Sequence, residues 1–334
     1  MLYLINQSPF TMSDPYKTLH AEGLISDESF EKISKKPNLF SVHWEIKILL
    51  YLGVLLLTTG VGILIYENID TIGHQFVLML IAAICIGCFI YCFKTALPYS
   101  VAKVKSPNTA FDYVLLLGCI SSLTFVGYLQ FEYKVFGTNY GLATLIPMLV
   151  LFFVAYYFDH LGILNMAIAN LAIWMGVTVT PKQLLSDSDF NSQTIVFTYL
   201  LLGLLLLAGA YVTQRSGYKK HFKFSYQHYG VHVAFIALLA GYFLHYDSFV
   251  AFLWIIGIAL LAVFIYRDAT KNKSFYFLLL VILYSYVALS SLAMRFFIAT
   301  AETGAIYLAP MYFIATAIGL IFVLINLNKK LKAA

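Results

Sequence analysis

An all-α integral membrane protein of about ten transmembrane helices is the fold class this sequence predicts, and three observations predict it. First, 61% of the 334 residues are apolar and only 11% are charged, where a soluble domain carries roughly a quarter charged residues. Second, the apolar residues gather in long runs nearly free of charge, long enough to cross a hydrocarbon core of about 30 Å as helices. The runs are continuous rather than alternating, which selects a helical bundle over a transmembrane barrel. Third, lysine and arginine fall in alternate loops, the pattern that orients a multi-span chain.

Residues 1–45 form the extramembrane segment. Ser13-Asp14-Pro15 reads as a helix start, with a capping oxygen and a proline in the first turn. That helix runs to about Glu22 and stops at Gly23, a residue suited to a left-handed C-terminal position. Ser26-Asp27-Glu28 starts a second helix, which Pro37 ends, and Leu19, Leu24, Ile25, Phe30 and Ile33 pack between the two. The resulting hairpin, residues 13–36, is too short to hold much core alone; it rests on the membrane face or on a protein partner. No cleavable signal peptide is expected, and either Met1 or Met12 serves as the start.

The spans are expected at 46–66, 76–97, 110–130, 141–158, 161–179, 193–214, 226–245, 249–266, 274–298 and 305–326. With both termini inside, one face collects Lys17, Lys32, Lys35, Lys36 and Lys47, then Lys94, Lys103 and Lys105. The same face adds Arg215, Lys219, Lys220 and Lys223, then Arg267, Lys271 and Lys273, and finally Lys329, Lys330 and Lys332. The other face holds only Lys134, Lys182 and Arg295, so eighteen basic residues oppose three. The turn Asp159-His160 lies on the basic face without a basic residue and is the one departure from the pattern. This distribution accounts for the net charge of +5, so no nucleic-acid partner is invoked.

Two stretches repeat. Gly141-x-x-x-Leu145-x-Pro147-Met148 opens the fourth span and Gly304-x-x-x-Leu308-x-Pro310-Met311 opens the tenth. Asn108-x-x-Phe111 likewise matches Asn272-x-x-Phe275, at the same offset of six spans. A parallel duplication of four helices follows, arranged four, two, four. The units are 46–158, a linking pair with its loop at 159–222, and 223–334 with a basic tail. Pro147 and Pro310 each remove a helical hydrogen bond. They either set a fixed kink or act as paired hinges.

The residues able to carry chemistry are few. His228 and His232 lie four apart and share a helix face. That spacing suits interfacial packing, a proton relay or a metal, although no Glu completes a His-Glu-x-x-His set. Arg295 is an intramembrane cation, which costs about 2.5–3.5 kcal/mol on insertion scales. It is expected to snorkel, to pair with Glu302 or Glu132, or to bind an anionic group. Asp112, near the inner end of the third span, sits at the membrane interface, pairs with Lys105 or lines a cavity. Asn165, Ala169, Ala172 and Gly176 make one small-residue face of the fifth span, for close helix contact or a polar path. Cys85, Cys88, Cys92 and Cys119 sit inside apolar runs as small packing residues. No metal and no cofactor is expected, nor is any catalytic set visible.

Leu19-His-Ala-Glu22-Gly23-Leu24-Ile25-Ser26-Asp27-Glu28, followed by Trp44 and a Leu/Gly-rich first span, resembles a family of prokaryotic predicted membrane proteins of unknown function. That span leads into Glu67-Asn68-Ile69-Asp70, where the family pattern favours tryptophan at position 69. The resemblance covers roughly residues 16–100. It implies a bacterial cytoplasmic membrane and carries no activity. Three functions are compatible with the residues. The first is a carrier, flippase-like or lipid- and small-ligand-binding protein, with a cavity between the two four-helix copies reached by Arg295 or His232. The second is a scaffold or sensor that binds a partner through residues 13–36, and the third is an intramembrane enzyme. Membrane lipids are partners in any of them, and oligomeric state is left open.

Overall fold

The computed structural model describes residues 73–179, 192–301 and 305–333 continuously, with residues 20, 22–24 and 26–34 and scattered positions between 49 and 67. Contacts divide the chain into two units, Met1–His74 and Gln75–Ala334. In the first, α1 spans Asp27–Ser34 with Asp27 and Glu28 in its first turn, where carboxylates meet the positive helix end. Gly23 has φ +70 and its N–H bonds the His20 carbonyl at 3.0 Å, the left-handed stop expected there. The His20 ring stacks on Phe30 with centroids 4.3 Å apart, and its Nε2 meets Asp27 Oδ1 at 2.7 Å. The earlier helix start at 13–15 and the end at Pro37 lie outside the described residues. So does most of the first span, 46–66, although residues 49, 52, 53, 56, 59, 60 and 63 are helical.

Among the described residues, nine helices are long and apolar enough to cross a membrane. They are α2 (His74–Thr95), α3 (Thr109–Tyr133), α4 (Tyr140–Phe158), α5 (Leu161–Val179) and α6 (Gln193–Ser216). After a 3-10 turn at Lys220–Phe222 follow α7 (Lys223–Leu244), α8 (Val250–Lys271), α9 (Phe275–Ala301) and α10 (Ala305–Ala333). They match the second to tenth expected spans. Some run a few residues past the expected bounds, as α3 does to Tyr133 and α8 to Lys271, because capping groups let a helix run past its apolar stretch. Asn108 Oδ1 accepts from the Phe111 N–H at 2.8 Å and Ser192 Oγ from the Ile195 N–H at 3.2 Å. Lys134, Asp159 and Gly217 end α3, α4 and α6 in the left-handed conformation.

Two cores meet along α6 and α7. The first joins Cys92 of α2 and Phe111, Leu115 and Cys119 of α3 to Leu151, Val154 and Ala155 of α4. Ile163, Leu164, Ala167 and Ile168 of α5, Leu202, Leu206 and Ala210 of α6, and Tyr226 of α7 complete it. The second runs through α7, α8 and α9 and takes Val196 and Leu207 from α6. Lipid is as apolar as leucine, so close packing rather than water exclusion must hold such helices together. Glycines provide the approach. A Cβ on Gly203 of α6 would stand 2.6 Å from Ala234 N on α7, and one on Gly241 of α7 would stand 2.5 Å from the Trp254 ring of α8. The cysteines pack in the same way: Cys92 and Cys119 are fully buried and all four thiols are free.

The two asparagines that the repeat pairs do different work. Asn108 caps the start of α3, whereas Asn272 bonds back to Asp268 at the end of α8. Pro147 is buried within α4, and Thr144 Oγ1 supplies a hydrogen bond one turn earlier, to the Gly141 carbonyl at 3.1 Å. Pro310 is exposed within α10. That helix buries none of its apolar window against the described residues. Two hydroxyl pairs tie it to α9, Tyr286–Thr316 at 3.0 Å and Ser290–Tyr312 at 3.2 Å.

Candidate functional site

Three polar constellations stand out, and sequence reading located part of each. The first is a knot of loops around Asp159, which is 1% exposed at the end of α4. Its Oδ2 accepts from the Val104 N–H at 2.5 Å and lies 3.2 Å from Lys219 Nζ, while its Oδ1 meets His221 Nε2 at 2.5 Å. Lys219 is fully buried, held at φ +47, and its own N–H bonds the Val101 carbonyl at 3.0 Å. Its ammonium also sits 5.0 Å from the Tyr99 ring centroid. Tyr99 and Tyr218 share a short hydroxyl contact, which together with burial pushes the Tyr99 phenol up to about 12. The turn that lacked a basic residue therefore takes one from the next loop on the same face.

Next to this knot, Asp112 meets Ser106 Oγ and lies 3.6 Å from His160 Nε2, rather than pairing with Lys105. His160 Nδ1 accepts from the Ile163 N–H at 3.2 Å and so caps α5. An accepting nitrogen carries no proton, so capping favours neutral imidazole. Burial pushes His160 below its usual pKa, and the Asp112 charge offsets part of that. On α5 the expected face divides: Ala169 is exposed, Gly176 is buried and Ala172 packs against the first core, to which Ile163, Leu164, Ala167 and Ile168 contribute the fully buried side chains. Helix rotation, which a nearly all-apolar span leaves unspecified, decides this. The Asn165 and Asn170 side-chain oxygens are buried without a hydrogen-bond partner among the described residues.

The second constellation joins α7 to α9. His228 Nδ1 lies 2.6 Å from the Tyr276 hydroxyl, which lies 3.3 Å from His232 Nε2. His232 Nδ1 lies 2.6 Å from the Tyr284 hydroxyl, and the two imidazole centroids are 4.8 Å apart. The histidines share a face, as their spacing requires. Tyr276 and Tyr284 escaped sequence reading, although their separation of eight residues places them on one face opposite. Further along the same helix pair, Ser291 Oγ donates to the Tyr242 hydroxyl at 3.2 Å. Arg295 lies one turn beyond. Its guanidinium carbon sits 5.0 Å from the Tyr246 ring and 5.6 Å from the Phe252 ring, and its Nη1 is buried without a hydrogen-bond partner among the described residues. It is held by aromatic faces. Of its two expected partners, Glu302 and Glu132, Glu302 lies outside the described residues. No group of three or more His, Cys, Asp or Glu placed to hold a metal occurs among the described residues.

The third constellation is a groove between α6 and α8. Its polar end, about 700 Å³, is lined by Tyr211, Gln214, Arg215, Arg267, Asp268 and Lys271, with Leu260, Val263 and Phe264. It continues through Tyr211, Leu260 and Phe264 into an apolar trough of about 740 Å³ floored by Leu238 of α7. Asp268 does not neutralise the three cations at the mouth. Its Oδ2 accepts from Gln227 Nε2 at 2.8 Å and pairs with Lys223 Nζ at 3.5 Å, and its Oδ1 accepts from Asn272 Nδ2 at 2.9 Å. Arg215, Arg267 and Lys271 are exposed, with Arg215 donating to the Tyr211 hydroxyl at 3.3 Å. The expected cavity between two four-helix copies is not the space these helices line.

A family model described as "Predicted membrane protein (DUF2157)" matches residues 17–164. No curated protein matches the chain, and no solved structure does. The matched segment includes Asp112, Asp159 and His160 and ends within α5, so the groove and the histidine–tyrosine chain lie beyond it.

Proposed function

We propose that this chain, whose residues 17–164 match the DUF2157 model of predicted membrane proteins, binds an anionic membrane lipid in the groove between α6 and α8. The carrying observation is the joining of two unlike surfaces in one groove. Cationic side chains without an ion-pair partner among the described residues line the mouth, and an apolar trough runs from them along the helices. A phospholipid has that polarity. Its phosphate fits the fork of Arg215 and Arg267 with Lys271 beside it, because guanidinium offers paired donors to phosphate oxygens. Its acyl chain lies over Leu204, Leu260 and Phe264, which are exposed in the trough. Gln214 and Tyr211 give the headgroup neutral hydrogen-bond partners. The alternation of basic loops supports a mouth in the cytoplasmic leaflet, where anionic headgroups concentrate.

This reading narrows the carrier and ligand-binding class to lipid and makes no claim of movement across the bilayer. Each basic residue near an anionic membrane surface contributes about 1 kcal/mol. Neutralising Arg215, Arg267 and Lys271 together therefore weakens binding by about 3 kcal/mol, roughly a hundredfold. The test is native mass spectrometry of the full chain in mild detergent, titrated with phosphatidylglycerol and with phosphatidylcholine of identical acyl chains. Phosphatidylglycerol is expected to be retained preferentially, with the preference lost in the Arg215→Gln/Arg267→Gln/Lys271→Gln variant. Equal retention of both lipids, or an unchanged preference in the variant, overturns the proposal.

A further inference from the structure

We propose that His228, Tyr276 and His232 form a proton relay within the membrane, loaded from the end of the bundle where α7 begins and terminated at Tyr284. The argument rests on connectivity. Tyr276 offers a single hydroxyl to two imidazoles, 2.6 Å from His228 Nδ1 and 3.3 Å from His232 Nε2. A phenol hydroxyl donates one proton and accepts another, so it links two nitrogens only by donating to one and accepting from the other. The chain therefore has two arrangements, in which every bond points toward His232 or toward His228. Tyr284 holds the remaining His232 nitrogen, at 2.6 Å from Nδ1.

Loading moves one proton and no electrons. A proton from water forms a bond at His228 Nε2. The His228 Nδ1–H bond then breaks as its proton passes to the Tyr276 oxygen. The original Tyr276 O–H bond breaks as that proton forms a bond at His232 Nε2. His228 is left neutral with its proton on Nε2, Tyr276 is unchanged in charge, and His232 carries the charge with its Nδ1–H donated to Tyr284. The site holds one proton and not two, because imidazolium rings 4.8 Å apart would repel in a poorly solvated interior.

The surroundings keep that charge on the chain. Facing groups on α9 are Tyr276 and Tyr284, and on α7 itself Tyr229 packs against the His228 ring at 5.0 Å. Asp268 of α8 is occupied by Gln227 and Lys223. No carboxylate or basic side chain bonds either imidazole among the described residues. Past Tyr284, whose ring stacks on Phe235 at 4.9 Å, no hydrogen bond carries the chain further among the described residues. The chain is a loading site and not a through-channel.

The test is a pH titration of the full chain in nanodiscs, with 15N-labelled histidine read by NMR. The two imidazoles are expected to titrate over one common pH range, with ring nitrogens averaged between tautomers, and Tyr276→Phe is expected to separate their midpoints by at least one pH unit. Tyr286→Phe, which removes an α9 hydroxyl bonded to Thr316 and not to either histidine, keeps the common midpoint and guards against a folding artefact at position 276. Independent midpoints in the wild type, fixed tautomers, no titration of either ring, or identical curves in Tyr276→Phe each overturn the relay.

Discussion

Replacing Gly203 with alanine tests the packing on which the bundle depends. Gly203 is buried on α6 against Ala234 of α7, which is fully buried. A Cβ there would lie 2.6 Å from Ala234 N and 2.8 Å from both its Cα and its Cβ, where carbon atoms prefer about 3.5–4.0 Å. Three of those contacts involve atoms that no rotamer change can move, two of them backbone, so the helices must part by about 1 Å. A gap of that size forfeits a quarter to a half of each van der Waals well it opens, along Leu206, Leu207, Val231 and Phe235. Overpacking costs about 1–3 kcal/mol. At roughly 2–4 °C per kcal/mol for a unit of this size, the melting temperature should fall by about 6–12 °C at the upper end of that cost. Scanning fluorimetry of the full chain in one detergent measures it. Gly209→Ala on the same helix is the control, because its Cβ would meet Tyr226 at an ordinary 3.5 Å. A Gly203→Ala protein as stable as wild type, or a Gly209→Ala protein equally destabilised, would refute the reasoning.

The loop knot gives two further expectations. Asp159→Asn strands the buried Lys219 ammonium and should cost about 3–5 kcal/mol, whereas the double variant Asp159→Asn/Lys219→Met should recover most of that in a double-mutant cycle; additive losses would show the pair to be uncoupled. His160 makes stability depend on pH. Its folded pKa is lowered, so the unfolded chain binds the proton first and stability falls as pH drops from about 6.5 toward the folded value, levelling off below it. His160→Asn, whose amide oxygen can still cap α5, should flatten the melting temperature between pH 5 and 7; an unchanged slope would assign it to another group.

Hydropathy placed α2 to α10 because a bilayer demands continuous apolar length, and length is written directly in the sequence. What it could not place was helix rotation. Nearly uniform apolar spans such as α5 have no polar face to mark which side turns inward, so of the face expected at Asn165, Ala169, Ala172 and Gly176 only part turns inward, and Ile163, Leu164, Ala167 and Ile168 carry most of the contact. The histidine pair was legible because i and i+4 share a face in any helix, but its partners Tyr276 and Tyr284 depend on how α9 is turned against α7. The groove was half legible: charge counting found Arg215, Arg267 and Lys271 as loop cations, and only the side-by-side course of α6 and α8 put them at the mouth of one trough. Asp159 and Lys219 needed the fold outright, since sixty residues separate them.

That separation bears on how the chain acquires its orientation during synthesis. The hairpin of α4 and α5 turns on Asp159 and His160, with no cation of its own to hold the turn on one side of the bilayer. Its counter-charge emerges only when Lys219 is made, which at about 5–20 residues per second follows by roughly 3–12 s. The Asp159–Lys219 pair can therefore form only after α4, α5 and α6 have all been synthesised, so it joins a turn and a loop whose helices are already made.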